Sequence, residues 1–193
     1  MFALYITHPQ VLIDPAVPVP DWGLSERGRE RALLAASSDW SRQIGRFVAS
    51  TERKAIETAD ILAAGRLAIE TDHAMGENDR SATGFLRPDA FEEAADWFFA
   101  HPEQSFRGWE RAVDAQARII SAVERALADH DPKIPVAFVG HGGVGTLLKC
   151  HLKGKPIHRD GDQPAGGGNL FAFRLADRAV TCDWTPMEFW KGI

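Results

Sequence analysis

Short, almost wholly apolar runs alternate along this chain with longer segments whose apolar residues recur every three or four positions. The first run, Phe2 to Thr7, stops at His8-Pro9, and proline disfavours the helical region for the residue before it, so the run reads as a strand. A loop over 9–23 follows, punctuated by Pro9, Pro15, Pro18, Pro20 and Gly23. Leu24 to Ala36 reads as a helix with Ser25 as its N-cap. Arg46 to Ala49 is a brief buried strand, and a helix opens directly after it at about Glu52, with Ala55, Ile56, Ala59, Leu62 and Ala63 on one face. Leu67 to Glu70 reads as a strand and 73–88 as a polar loop. Phe91, Ala94, Ala95, Phe98 and Phe99 form the stripe of a further helix, stopped before Pro102. Val113, Ala117, Ile120 and Leu127 mark a long helix ending near Asp131-Pro132. Pro135 to Val139 is a strand and Gly142 to Leu152 a helix; a Pro/Gly loop runs to Gly168, and Leu170–Leu175 and Ala179–Trp184 are closing strands. Apolar strands alternating with helices predict a three-layer α/β domain, its central, mostly parallel sheet flanked by helices on both faces. No repeat or low-complexity tract interrupts this order, so residues 1–193 read as one domain.

Composition narrows the partners more than it changes the fold. A net charge of −5 provides no basic field for nucleic acid or an anionic membrane, so a phosphate group would have to be attracted by a few placed cations and backbone amides. The chain has no apolar run of the roughly 18 residues that a membrane span needs. Its first residues look like a strand rather than a targeting segment, and the expected location is the cytoplasm. Cys150 and Cys182 lack CxxC spacing and read as buried free thiols of a reducing compartment. His141, His151 and His158 do not have metal-ligand spacing, so no metal is expected.

Chemistry concentrates at three junctions that follow strands: Thr7-His8-Pro9, Ser50-Thr51-Glu52-Arg53-Lys54 and Gly140-His141-Gly142-Gly143. Ligands of open α/β sheets bind beyond the carboxyl ends of the strands, so the three can converge on one crevice. A neutral imidazole at His8 is a competent nucleophile toward phosphorus. At His141, the flanking glycines allow an anion to approach the backbone of a helix N-terminus. Arg53 and Lys54 place cations in the first turn of a helix, against its dipole. Glu77 can protonate a leaving group, and Arg80, three residues on, can contact phosphate. Gly140 to Gly145 also matches GxGxxG, with Asp160 and Asp162 about twenty residues on. That is the fingerprint of a dinucleotide-dependent oxidoreductase, but its acidic residues fall in a loop and too little chain follows for a nucleotide fold.

Taken in order, the strand ending in His8, Trp22-x-Leu24-Ser-Glu-Arg-Gly-Arg-Glu-Arg-Ala32, Ser50…Lys54-Ala-x-x-Thr58-Ala59 and Gly140-His141-Gly-Gly resemble the histidine phosphatase (phosphoglycerate mutase-like) superfamily, over most of the chain. The resemblance implies transfer of a phosphoryl group from a phosphomonoester to His8 as phosphohistidine, then to water, without metal or cofactor. It implies His141 as the second pocket histidine, donating to the phosphoryl group, and Glu77 as the acid. Thr7, Arg53, Lys54, Arg80 and Gly142 are then the phosphate contacts, and the ligand is a phosphorylated small molecule or phosphoprotein. The sequence departs from the family pattern where Thr7-His8-Pro9 replaces Arg-His-Gly and Lys54 the second arginine. Threonine has no bidentate charged fork and proline no N–H, so weak or altered hydrolysis is expected, and the alternative is a non-catalytic relative that binds a phospho-ligand.

Overall fold

The computed structural model describes residues 1–192. Six strands form one sheet: β1 (Phe2–Thr7), β2 (Arg46–Ala49), β3 (Ile69–Thr71), β4 (Val136–Gly140), β5 (Asn169–Arg174) and β6 (Val180–Pro186). Their order is β3-β2-β4-β1-β5-β6. The three pairings from β3 to β1 are parallel, and β5 and β6 continue the sheet antiparallel. Six helices cover it: α1 (Glu26–Ala36), α2 (Asp39–Gln43), α3 (Arg53–Ala63), α4 (Pro88–Ala100), α5 (Ala112–Ala128) and α6 (Gly142–Leu152).

Successive strand residues point to opposite faces, so each strand feeds two cores. Ala3, Tyr5, Phe138 and Phe171 pack with Phe98 of α4, Ile119 of α5 and Leu147 of α6. Leu4, Ile6, Val139 and Leu170 pack with Ala35 of α1, Trp40 of α2 and Leu62 of α3 on the other side. Every residue of β1 is buried, which explains why this strand reads as a continuous apolar run rather than an alternating one. The three-layer architecture is the one the pattern predicts.

The differences are local. β3 lies at 69–71 rather than 67–70, and the sequence reading has no counterpart of α2. Five residues are too few to show a stripe; α2 is held instead by the buried Trp40, which meets Trp190 edge-on with ring centroids 5.6 Å apart. Ser25 caps α1 as expected, accepting from the Gly28 N–H at 3.2 Å. Both cysteines are free thiols, Cys150 buried and Cys182 only partly so. Among the described residues, no helix is long and apolar enough to cross a membrane.

Sheet register positions the site. Thr7 is the partner of Gly140 across the β1–β4 pair, and Ala49 of Val139 across β2–β4. The next residue of each strand, His8, His141 and Ser50, therefore emerges at the same edge of the sheet.

Candidate active site

His8 leaves β1 with its N–H donating to the Gly140 carbonyl at 3.0 Å and its own carbonyl accepting from Gly168 at 2.9 Å. Gly167 beside it has φ +62, and a Cβ there would lie 2.3 Å from the His8 carbonyl oxygen, so this return of the chain requires glycine. The His8 ring has Nδ1 2.8 Å from the Pro9 carbonyl. A carbonyl can only accept, so Nδ1 carries the hydrogen and Nε2 keeps its lone pair. Burial, with the neighbouring His141 adding to it, pushes the His8 pKa down to about 3, and the imidazole is neutral at physiological pH.

His141 ends the β4–α6 junction with its side chain 1 % exposed. Its backbone is fixed by the buried Tyr5 hydroxyl, which donates to the His141 carbonyl and accepts from its N–H, both at 3.1 Å. The two histidine rings meet edge-on, 5.3 Å between centroids. His141 Nε2 lies 2.9 Å from Ser50 Oγ and 3.2 Å from Glu52 Oε1. Burial lowers the His141 pKa to about 4 despite the opposing pull of Glu52, so the contact with Glu52 is a hydrogen bond of a neutral ring, not an ion pair. Burial on its own would raise the Glu52 carboxyl; His141, the Lys54 ammonium and the Glu77 N–H outweigh it and hold the group at about 2.

Lys54 is buried, with Nζ donating to the Val19 carbonyl at 2.9 Å and to Glu52 Oε2. Glu77 turns its carboxylate onto the start of α6. Oε2 accepts from the Gly143 N–H at 3.1 Å, while Oε1 accepts from Val144 at 3.0 Å and Asn78 at 3.1 Å. The loop carrying it is tied to α5 by Arg118, which donates to the carbonyls of Ala74, Gly76 and Glu77. The side chain of Glu77 thus sits where the helix N-terminus would attract a ligand anion.

His8 and Glu77 open into a cleft of about 740 Å³ whose lining also includes Arg80, Gly142, Gly143 and Gln163. The outer wall is aromatic, with Phe91, Phe98 and Trp109. Arg80 lies 4.8 Å over the Phe91 ring and makes no ion pair among the described residues, so its charge is free for a ligand. Arg159 shares the lining but is engaged by Glu92, Asp96 and Asp162.

The expected phosphate contacts divide accordingly. Arg80 and Gly142 line the cleft with His8, and Lys54 lies behind it, bound to Glu52. Arg53 does not join them. One residue before Lys54 on α3, it faces outward, 61 % exposed, pairs with Glu57 at 2.8 Å and borders a separate small hollow beside Gly23. Thr7 does not reach the cleft either: its hydroxyl is 2.6 Å from Gln163 Oε1 and accepts from the Asn169 N–H at 3.0 Å. Gln163 covers Gly142, where a Cβ would come within 2.2 Å of its Nε2.

Sequence reasoning assigned no role to Glu52, Gln163, Asn78 or Arg118. A carboxylate at a helix entrance two residues before a buried lysine was the one available signal, for Glu52. Asp160 and Asp162 of the dinucleotide fingerprint lie at a one-turn helix over Arg159–Gly161, where Asp162 accepts from Thr146 at 2.9 Å instead of facing a ribose.

Two neutral imidazoles meet at the ends of adjacent parallel strands of a three-layer α/β fold, His141 buried and His8 half-buried with its Nε2 lone pair at a cleft. The family model described as histidine phosphatase superfamily (branch 1) matches residues 16–179, and the chain belongs to that superfamily. The mycobacterial glucosyl-3-phosphoglycerate phosphatase solved with inorganic phosphate is 23 % identical, with 98 % of this chain and 99 % of that one covered at a TM-score of 0.78. The Bacillus stearothermophilus protein YhfR is 22 % identical over 96 % and 98 % of the two chains, at 0.80. A protein described as a putative α-ribazole-5′-phosphate phosphatase from Escherichia coli is 19 % identical over 100 % and 98 %, at 0.72. At these identities the likeness carries the fold. No curated protein matches the chain at a significant level.

Proposed function

We propose that the protein is a cytoplasmic, metal-independent phosphomonoester hydrolase that works through a phosphohistidine at His8 and turns over slowly. The observation that carries the reading is the Nδ1 contact to Pro9, which leaves Nε2 of a neutral imidazole free beside His141 at the cleft. In the first step the His8 Nε2 lone pair bonds to phosphorus as the bond to the leaving oxygen breaks, and that oxygen takes a proton from the protonated form of Glu77, leaving the carboxylate on the α6 amides. In the second, Glu77 takes a proton from water, the water oxygen bonds to phosphorus, and the P–N bond breaks to restore His8. Arg80 supplies the cation for the transferring group. Slowness follows from the clamp: Lys54 is neutralised by Glu52, Thr7 is turned away, and Arg80 alone stands in for two bidentate guanidiniums. The cleft volume and the phosphorylated small molecules named for the two phosphatases above support a small phosphomonoester as substrate.

Rapid acid and alkaline quenching after mixing with a labelled phosphomonoester tests this. An acid-labile, base-stable phosphoenzyme that is missing from His8→Ala is the expected result; one that persists in His8→Ala removes the assignment. The Glu77 carboxylate on the α6 amides favours a second reading, a phospho-ligand-binding relative without turnover. Saturable ligand binding with no phosphoenzyme and no product identifies that case.

A further inference from the structure

Glu52 has no role in the two steps above, yet its carboxylate joins three parts of the site. Oε1 lies 3.2 Å from His141 Nε2 and accepts from the Glu77 N–H at 3.0 Å, while Oε2 takes the Lys54 ammonium. A carboxylate at this low pKa can only accept, so Nε2 of His141 must carry the ring's hydrogen, which the Ser50 hydroxyl at 2.9 Å shares. A neutral imidazole has one N–H. Nδ1 of His141 is therefore a lone pair, buried and without a partner among the described residues. Beside it, Nε2 of His8 is also a lone pair, because Nδ1 of that ring serves Pro9. Lys54, which could have aimed its donors at a ligand, spends two of its three on Val19 and Glu52.

We infer that Glu52 is the specificity-determining residue of this cleft: by holding the Nε2–H tautomer of His141 and engaging Lys54, it makes the deep end accept hydrogen bonds instead of donating them. This rests on the phosphatase reading only for the identity of the ligand. A fully ionised phosphate dianion would bring oxygen lone pairs against two imidazole lone pairs, whereas a monoanion brings a P–OH that can donate to His141 Nδ1. The cleft therefore takes the protonated, monoanionic form of a phosphate group. Glu52 is a positioning residue here, acting through His141 and Lys54. Glu52, Ser50, His8 and Tyr5 contact His141, and the charges of Glu52 and Lys54 at the α3 entrance, Arg80 of the 73–88 segment and Arg118 of α5 act on its ring. With His8 and His141 at about 3 and 4, neither imidazole titrates across the range where phosphate changes charge.

Nitrogen-15 NMR of the full chain labelled at histidine reads the tautomer directly. At neutral pH, His141 Nδ1 is expected at the shift of an unprotonated ring nitrogen and Nε2 at that of a protonated one; a protonated Nδ1, or an average of the two forms, overturns the inference. Calorimetric titration with methylphosphonate, whose monoanion carries one P–OH and whose dianion carries none, supplies the second arm. Wild-type affinity is expected to fall at least roughly tenfold between the pH values where monoanion and dianion dominate. Glu52→Gln, which frees Lys54, is expected to flatten that dependence and tighten dianion binding roughly tenfold, while Glu52→Asp keeps the wild-type profile. A folded Glu52→Gln that binds the dianion no tighter overturns it. Neither measurement needs turnover, so a missing phosphoenzyme would remove the phosphatase reading and leave these results standing on their own.

Discussion

His8 and His141 stand side by side, but the chain holds them by different means. His8 takes its tautomer from a backbone carbonyl one residue away, whatever side chain sits at position 9. His141 takes its tautomer from two side chains, Ser50 and Glu52, on another segment. The orientation of the His8 ring thus depends on a main-chain carbonyl, and Pro9 costs a donor N–H without removing that acceptor. The role of His141 is open to change, because one carboxylate decides which nitrogen faces the ligand. The same asymmetry runs through the phosphate-binding side, where the inherited positions are present but engaged by Glu52, Gln163 and Asn169.

The largest effect expected from this contrast is on catalysis. His8→Ala should reduce phosphomonoester turnover by at least about a thousandfold, as loss of a nucleophile does, whereas Pro9→Gly should leave the rate within roughly tenfold of wild type. Equal losses in the two variants, measured with an aryl phosphate, would show that the Pro9 carbonyl is not what orients the ring.

Acid stability comes next. Both imidazoles have folded-state pKa values below the ordinary 6.5, so below that pH the unfolded chain binds protons that the folded one does not. Their effect is absent at neutral pH and grows as pH falls from about 6.5 toward 4 and then 3. With two protons the slope reaches about 2.7 kcal/mol per pH unit. Glu52 acts in the same direction at lower pH, losing its contribution as pH falls from 4.5 through about 2. Denaturant melts between about pH 4 and 7 measure the slope; a flat profile would mean that the two rings are not buried in the neutral form.

A smaller effect separates the two ways of holding. Thr7→Arg alone should destabilise the fold by about 1–3 kcal/mol, because Gln163 already fills the space in front of a buried threonine. Adding Gln163→Ala should recover most of that loss and tighten inorganic phosphate, since the new guanidinium then reaches the cleft. If Thr7→Arg is as stable as wild type without the second change, Gln163 is not what excludes a cation there. The smallest expected effect is none: chelation should leave turnover unchanged, as no group of three or more His, Cys, Asp or Glu among the described residues is placed to hold a metal ion. Activity lost on chelation and restored by one divalent ion would reopen the histidines.

The sequence by itself determined the strands, five of the six helices, and the placement of His8, Ser50 and His141 at strand ends. These follow from local signals: a buried central strand is apolar at every position, a helix shows its stripe, and the residue after a strand stands at the sheet edge. α2 escaped because five residues carry no period. The division of the phosphate contacts was beyond local reading. Arg53 and Lys54 are adjacent and alike in charge, yet about a hundred degrees of rotation on α3 sends one to solvent and the other under the cleft. Thr7 meets Gln163 across 156 residues, and Glu77 reaches the α6 amides across 66 and 67. Which donor meets which acceptor depends on ångström-scale positions set by sheet register and loop path. Only the tertiary structure could therefore decide that Lys54, Arg159 and the α6 amides are already bound to the protein's own carboxylates while Arg80 is not.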